Sequence, residues 1–237
     1  MKTTKVQDPY DTDQVLQLAI MVDRKQGFIK SGYGYVNHSA EPDDPERMIF
    51  DNKTAIMNYL NSENIPEIHD DIIDEANNIK DTFRNNLITK KLMGNLSGFD
   101  TAVMETISEE KTSNYGVAIL ASIPNSFRIT TKRDILDQWF DDMRSKSEFV
   151  GIVGERYQMQ IEIKDVKYIS KIGIHLVTGV NQEDNIIKFF FNKEPDVSGI
   201  IEGKSFVMTG KVKSHDVSKF SQCNETVFHY VKIQESA

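Results

Sequence analysis

Thiols are almost missing from this chain of 237 residues. Cys223 is its single cysteine, which excludes an intramolecular disulfide and a zinc site built on clustered thiolates, and which suits a reducing cytoplasm. No run of about 18 apolar residues occurs, so a transmembrane helix is excluded. Met1 to Lys5 lead into polar residues instead of an apolar stretch, an argument against a secretory signal. A Gly-x-Ser-x-Gly nucleophile turn is absent. His38, His69, His175, His215 and His229 are scattered singly and form no zinc-ligand pair. Gly32-Tyr33-Gly34-Tyr35 lacks the Lys-Ser/Thr ending of a phosphate loop and reads as a tight turn between extended pieces. The expectation is a protein with no catalytic centre, no metal and no cofactor.

Acid is what the chain has in excess. Its formal net charge is −8 and its isoelectric point lies near 5.2, which argues against indiscriminate adhesion to nucleic acid. The excess is local, because residues 150 to 237 hold 11 basic and 11 acidic residues. An α+β protein of two parts is expected, with a mostly helical acidic domain over 1–146 and a second domain over 147–237.

Helical periodicity dominates the first part. Asp11-Thr12-Asp13 supply capping residues ahead of an apolar segment, which predicts a helix over 13–25 stopped by Gly27. Residues 37–45, with two prolines and several acids, read as a solvated loop. A helix from Asn52 carries Ala55, Ile56, Tyr59 and Leu60 on one face. Ile68, Ile72, Ile73, Ala76, Ile79, Phe83 and Leu87 then recur at three- and four-residue spacing, with acid near the front and Lys90-Lys91 near the end, as the helix dipole favours. Short helices are expected over 99–107 and 115–123, the latter stopped by Pro124, and a last helix over 131–144 carries Trp139 and Phe140. His69, Asp70, Asp71, Asp74 and Glu75 could converge on a cation, but an exposed acidic helix face is the ordinary use of such residues.

Period-two patterning takes over from Arg156. Tyr157 to Ile163 alternates apolar and polar, and the phase then slips to Val166 and Tyr168, which predicts a β-bulge at Lys164-Asp165. Strands are expected over 174–180, 186–191, 205–213 and 226–233, with a hairpin loop at 181–185 and a helix or turn between the third and fourth near 195–204. Five strands with that break follow the order of an oligonucleotide/oligosaccharide-binding (OB) barrel.

Gly203-Lys204, Gly210-Lys211-Val212-Lys213-Ser214-His215, Glu225-Thr226-Val227 and Val231-Lys232-Ile233 resemble the closing pattern of OB-like C-terminal domains in bacteriophage replication-associated proteins. Phe149-Val150-Gly151-x-x-Gly154-Glu155-Arg156 resembles the lead-in to that domain, so the resemblance spans about 147–235. It implies a single-stranded DNA-binding role in phage replication or recombination, in the host cytoplasm. The residues themselves offer cations interleaved with rings, the pattern that single strands use. Lys211, Lys213 and His215 are expected on one face of the fourth strand, Phe228, Tyr230 and Lys232 on one face of the fifth, and Lys188 and Phe190 on the third, with Lys219 in the loop between the last two. The alternatives are an interaction or inhibitor protein directed at a host or phage protein, and a metal-dependent nuclease using the N-terminal acids.

Overall fold

The computed structural model describes residues 10–38, 48–63, 65–192 and 200–235. The chain divides into two compact units, Met1–Thr131 and Lys132–Ala237. That boundary lies before residue 146, inside the last helix.

The first unit holds β1 (Tyr10–Asp11), α1 (Thr12–Gln26), β2 (Tyr35–Val36), β3 (Met48–Ile49), α2 (Asn52–Leu60), α3 (Asp70–Leu92), α4 (Gly98–Ser108), β4 (Lys111–Thr112) and α5 (Asn114–Leu120). Asp11 caps α1 by accepting from the Gln14 amide at 3.0 Å, and Ser97 with Asp100 forms a reciprocal capping box on α4. α1 is the hub, since Val15, Leu16, Leu18, Ala19, Ile20 and Val22 are all buried. A helix apolar on more than one side must be enclosed, and α2, α3, α4 and α5 enclose it with Ile56, Ile79, Val103 and Val117. The short strands pair antiparallel, β1 with β4 and β2 with β3. The loop expected over 37–45 lies mostly outside the described residues.

One boundary differs from the sequence reading. α6 runs Ile123–Met143, so Pro124 opens a helix instead of ending one. The first turn has no intrahelical partner for its amides, so a residue without an N–H is tolerated there.

The second unit contains β5 (Arg156–Ile169), β6 (Ile174–Asn181), β7 (Ile186–Phe191), β8 (Ser205–Val217) and β9 (Asn224–Glu235). They form a closed barrel in the order β5-β6-β7-β9-β8. Every neighbouring pair is antiparallel except β7 with β9, which run parallel. This closure is consistent with an OB-like barrel. Of the expected break between the third and fourth strands, residues 193–199 lie outside the described residues, and 200–204 form a turn.

The core comes from alternate residues of each strand: Ile161 and Ile163, Val177, Ile187 and Phe189, Phe206, Met208 and Val212, and Phe228. The ladder shifts between Ile163 and Asp165, where Lys164 is the extra residue, as the phase slip in the sequence predicts. Gly210 sits where a side chain would be crowded by the interior. A Cβ there would lie 3.0 Å from Phe228 and 3.1 Å from Val231. Gly210→Ala is therefore expected to destabilise the barrel by about 1–3 kcal/mol, measured by chemical denaturation of the full chain against the parent.

Candidate nucleic-acid interface

The two faces of the barrel wall have different fates. On the outside of β6 and β7, Val180 and Ile186 pack with Cys223 and with Met143, Trp139 and Phe140 from the end of α6. The segment that follows is tied down by hydrogen bonds. The Ser147 hydroxyl donates to the Asn224 carbonyl at 2.7 Å and accepts from the Ile186 amide at 2.9 Å. The Val150 amide donates to Thr226 Oγ1 at 2.9 Å. Strands two and three of such barrels often serve as the ligand face, and here the chain's own helix fills part of that place.

Lys188 and Phe190 belong to this covered side. The Lys188 ammonium lies 2.8 Å from Glu225 Oε1, with both side chains largely buried, and 5.7 Å from the centre of the Phe140 ring. Phe190 is 46% exposed and pairs with Leu176 across the ladder. A groove of about 480 Å³ beside them is lined by Phe140, Lys167, Leu176, Lys188 and Phe220 among others. Lys219 lies in the β8–β9 loop next to Phe220, six residues beyond Lys213 and past the end of β8 at Val217.

Two bulges rearrange the expected faces of β8 and β9. Val212 pairs with Phe228 and Ser214 with Val227, so Lys213 is an extra residue and the alternation flips after it. His215 consequently pairs with Thr226, which is buried, and does not share a face with Lys211 and Lys213. Its ring stacks on Phe149 with centroids 4.8 Å apart, and its Nε2 lies 3.2 Å from the Val150 carbonyl oxygen. It holds the lead-in segment. On β9, Lys211 pairs with His229 and Thr209 with Lys232, leaving Tyr230 and Val231 opposite Gly210 alone. Phe228, Tyr230 and Lys232 therefore do not share a face: Phe228 points inward, Lys232 outward, and Tyr230 occupies the bulge.

The same register assembles a different surface on the outside of β5, β8 and β9. Arg156 pairs with Lys211, which pairs with His229. The next row outward is Gln158, Thr209 and Lys232, and the third is Gln160, Val207 and Gln234. None of these nine positions is acidic. Among the described residues Arg156, Lys211, Lys213 and Lys232 form no ion pair, while Lys164 and Lys188 do. Glu155, beside Arg156, accepts instead from the Tyr157 hydroxyl at 2.8 Å. Tyr230 is 70% exposed at the edge of this surface, and its ring centroid lies 4.4 Å from that of His229. Cross-strand partners of like charge oppose folding by several tenths of a kcal/mol. The Arg156–Lys211 pair is thus held together against its own repulsion.

Lys211, Lys213, Lys232 and Tyr230 of the sequence-derived set are brought together, and Lys188, Phe190, His215 and Lys219 lie elsewhere. Arg156 and His229 join the cluster without having been singled out. Arg156 is the first residue of its strand, so alternation gave it no partner; the register with Lys211 supplies one. The acidic group on α3 is engaged within its own unit, since Arg24 binds both Asp71 and Glu75, and the guanidinium holds the Asp71 carboxyl below its ordinary value. Comparison with protein-family models, curated proteins and solved structures found no match to this chain.

The separation of the two sides is testable at Lys188. Removing its charge strands Glu225, whose other partner is the Ser221 hydroxyl at 3.1 Å. Lys188→Met is expected to destabilise the barrel by about 3 kcal/mol in a denaturant titration, an effect that a solvent-facing ligand contact would not produce.

Proposed function

We propose that the second unit is an OB-like module that binds single-stranded DNA along the outer face of β5, β8 and β9, in replication or recombination as the resemblance to phage proteins implies. The observation that carries this reading is the row Arg156–Lys211–His229. Two cations that form no ion pair among the described residues sit side by side, at a cost to folding, in a chain whose net charge is −8. A polyanion supplies the missing counter-charge. The strand order, with its parallel β7–β9 closure, supports the OB-like assignment.

Each group has a role in this reading. Lys213, Lys211 with Arg156, and Lys232 follow one another along β8, spanning about four residues or roughly 13 Å. That length suits a few successive phosphates. Gln158 supplies an amide that donates or accepts at base edges without adding charge, and Gln160, whose Oε1 accepts from Gln182 at 2.9 Å, keeps its Nε2 as a donor. Tyr230 offers a ring for a base to stack on. Binding alone, with no bond made or broken, is the activity proposed.

A second reading has one observation behind it. Phe220 is 99% exposed at the tip of the β8–β9 loop, and a bare aromatic ring beside a groove is a feature of protein-docking surfaces. Its contribution can be separated from that of the cations by substitution.

Binding of a labelled oligonucleotide across a salt series tests the main reading. About three to four phosphate contacts predict that log K falls with log salt at a slope of roughly −2 to −3 for a single strand. Arg156→Ala with Lys211→Ala should reduce that slope by about 1.4 and leave the unfolding midpoint equal to or above that of the parent. A double variant that binds as tightly as the parent at every salt concentration would overturn the reading and turn attention to Phe220.

A further inference from the structure

We infer that Tyr230 is the residue by which this face tells a single strand from a duplex, its ring held out by a left-handed bulge as a stacking surface that only an unpaired base can cover. The inference rests on the nucleic-acid reading above and deepens it.

The backbone supplies the first step. At the bulge opposite Gly210, Tyr230 adopts φ 51°, the left-handed region in which a Cβ crowds the neighbouring carbonyl. Bulges of this form take glycine at that position as a rule. A tyrosine there disfavours the fold relative to glycine.

The side chain returns little. Its ring is 70% exposed, and among the described residues the His229 ring is its one aromatic contact, tilted by 37°. Among the described residues its hydroxyl makes no hydrogen bond. His229 next to it is more enclosed, with Nε2 buried and without a hydrogen-bond partner among the described residues. A residue that strains its backbone, buries little and hydrogen-bonds nothing is not explained by stability. What it provides is a flat apolar surface between the Arg156–Lys211–His229 row and the row of Lys232.

The chemistry of the ligand then decides between strands. Phosphates are displayed by single strands and duplexes alike, so the cations attract both. Within a duplex each base is stacked on both sides and shows only its edges in the grooves. An unpaired base can present its face, and stacking on an aromatic ring is worth about a 5- to 150-fold change in affinity. The cations thus set the affinity for any nucleic acid, and Tyr230 sets the preference.

The experiment compares a labelled single strand of about 12 nucleotides with the duplex of the same sequence, on the full chain. The proteins are the parent, Tyr230→Ala, Tyr230→Phe, Tyr230→Gly and the Lys211→Ala/Lys213→Ala control, each with its thermal midpoint recorded. Tyr230→Ala should lose about 5- to 150-fold on the single strand and stay within about twofold on the duplex. Tyr230→Phe should bind both as the parent does. Tyr230→Gly should lose single-strand affinity as the alanine variant does, yet melt a few degrees higher than the parent because the left-handed conformation is relieved. Equal losses on both ligands, no loss on the single strand, or a lower midpoint for Tyr230→Gly would each overturn the inference. A failure of the underlying reading looks different: the parent binds neither ligand, or the lysine control binds like the parent.

Discussion

A narrow sheet of five strands closes on itself only if its strands bend, and in this protein the bends are made by extra residues. Lys164, Lys213 and the Tyr230–Val231 pair each interrupt a ladder. A bulge deepens the local twist and shifts every following side chain by one place. The interior must stay apolar through each shift, so Val212, Phe228, Val231 and Ile233 keep contact with the core on either side of the irregularities. Everything on the outer surface follows from that requirement. The placement of the basic row, the retreat of His215 beneath the lead-in segment and the exposure of Tyr230 are consequences of where the wall had to bend.

The bends also divide the labour between the two sides of the barrel. Outside β6 and β7 the alternation leaves Val180 and Ile186 facing away from the core, and such a surface needs a cover. The end of α6 provides one with Trp139, Phe140 and Met143. Lys132 strengthens the arrangement by meeting Asp165, the residue after the first bulge, at 3.2 Å, and Glu202 at 2.6 Å. Burial would lower the Lys132 pKa, but these two hydrogen bonds prevail and raise it. Glu202 in turn accepts from the Val166 amide at 3.0 Å, an amide beyond the irregularity. The bulge that bends β5 thus anchors a helix on one side of the barrel. On the opposite side, Arg156, Lys211, Lys213 and Lys232 form no ion pair among the described residues.

Most of the architecture was legible because apolar residues report their phase. The slip from Ile163 to Val166 revealed the first bulge, and the period of α3 gave that helix to within a turn. The later bulges left weaker marks. Beyond Lys213 the chain runs Ser214-His215-Asp216, all polar, so no apolar phase was there to slip. On β9 the slip is present, from Phe228 to Val231 and Ile233, but Tyr230 looks like a continuation of the earlier phase and conceals it. Pro124 misled for a related reason: a proline excludes the interior of a helix, not its first turn. Arg156 and His229 became visible only through cross-strand register, which one strand's sequence does not contain.

Charge along the basic track has limits as well as a centre, and the limits bear on what can bind. Going along β8 past Lys213, the first carboxylate is Asp216, which accepts from the Ser214 hydroxyl at 2.8 Å. Going the other way, the first on β5 beyond Arg156 is Glu162, paired with Lys164. Six residues of strand separate Arg156 from Glu162, about 20 Å, or more than two Debye lengths at physiological salt. The acid at that end is therefore screened from the Arg156–Lys211 row, and the one carboxylate adjacent to Arg156 in sequence, Glu155, accepts from the Tyr157 hydroxyl. In the proposed reading, a phosphate pushed past either limit would meet a carboxylate. The net charge of the chain, spread over distances longer than the screening length, says little about this face; the few ångströms around each cation decide, and in the proposed reading the acids at either end limit the length of strand that the track can hold.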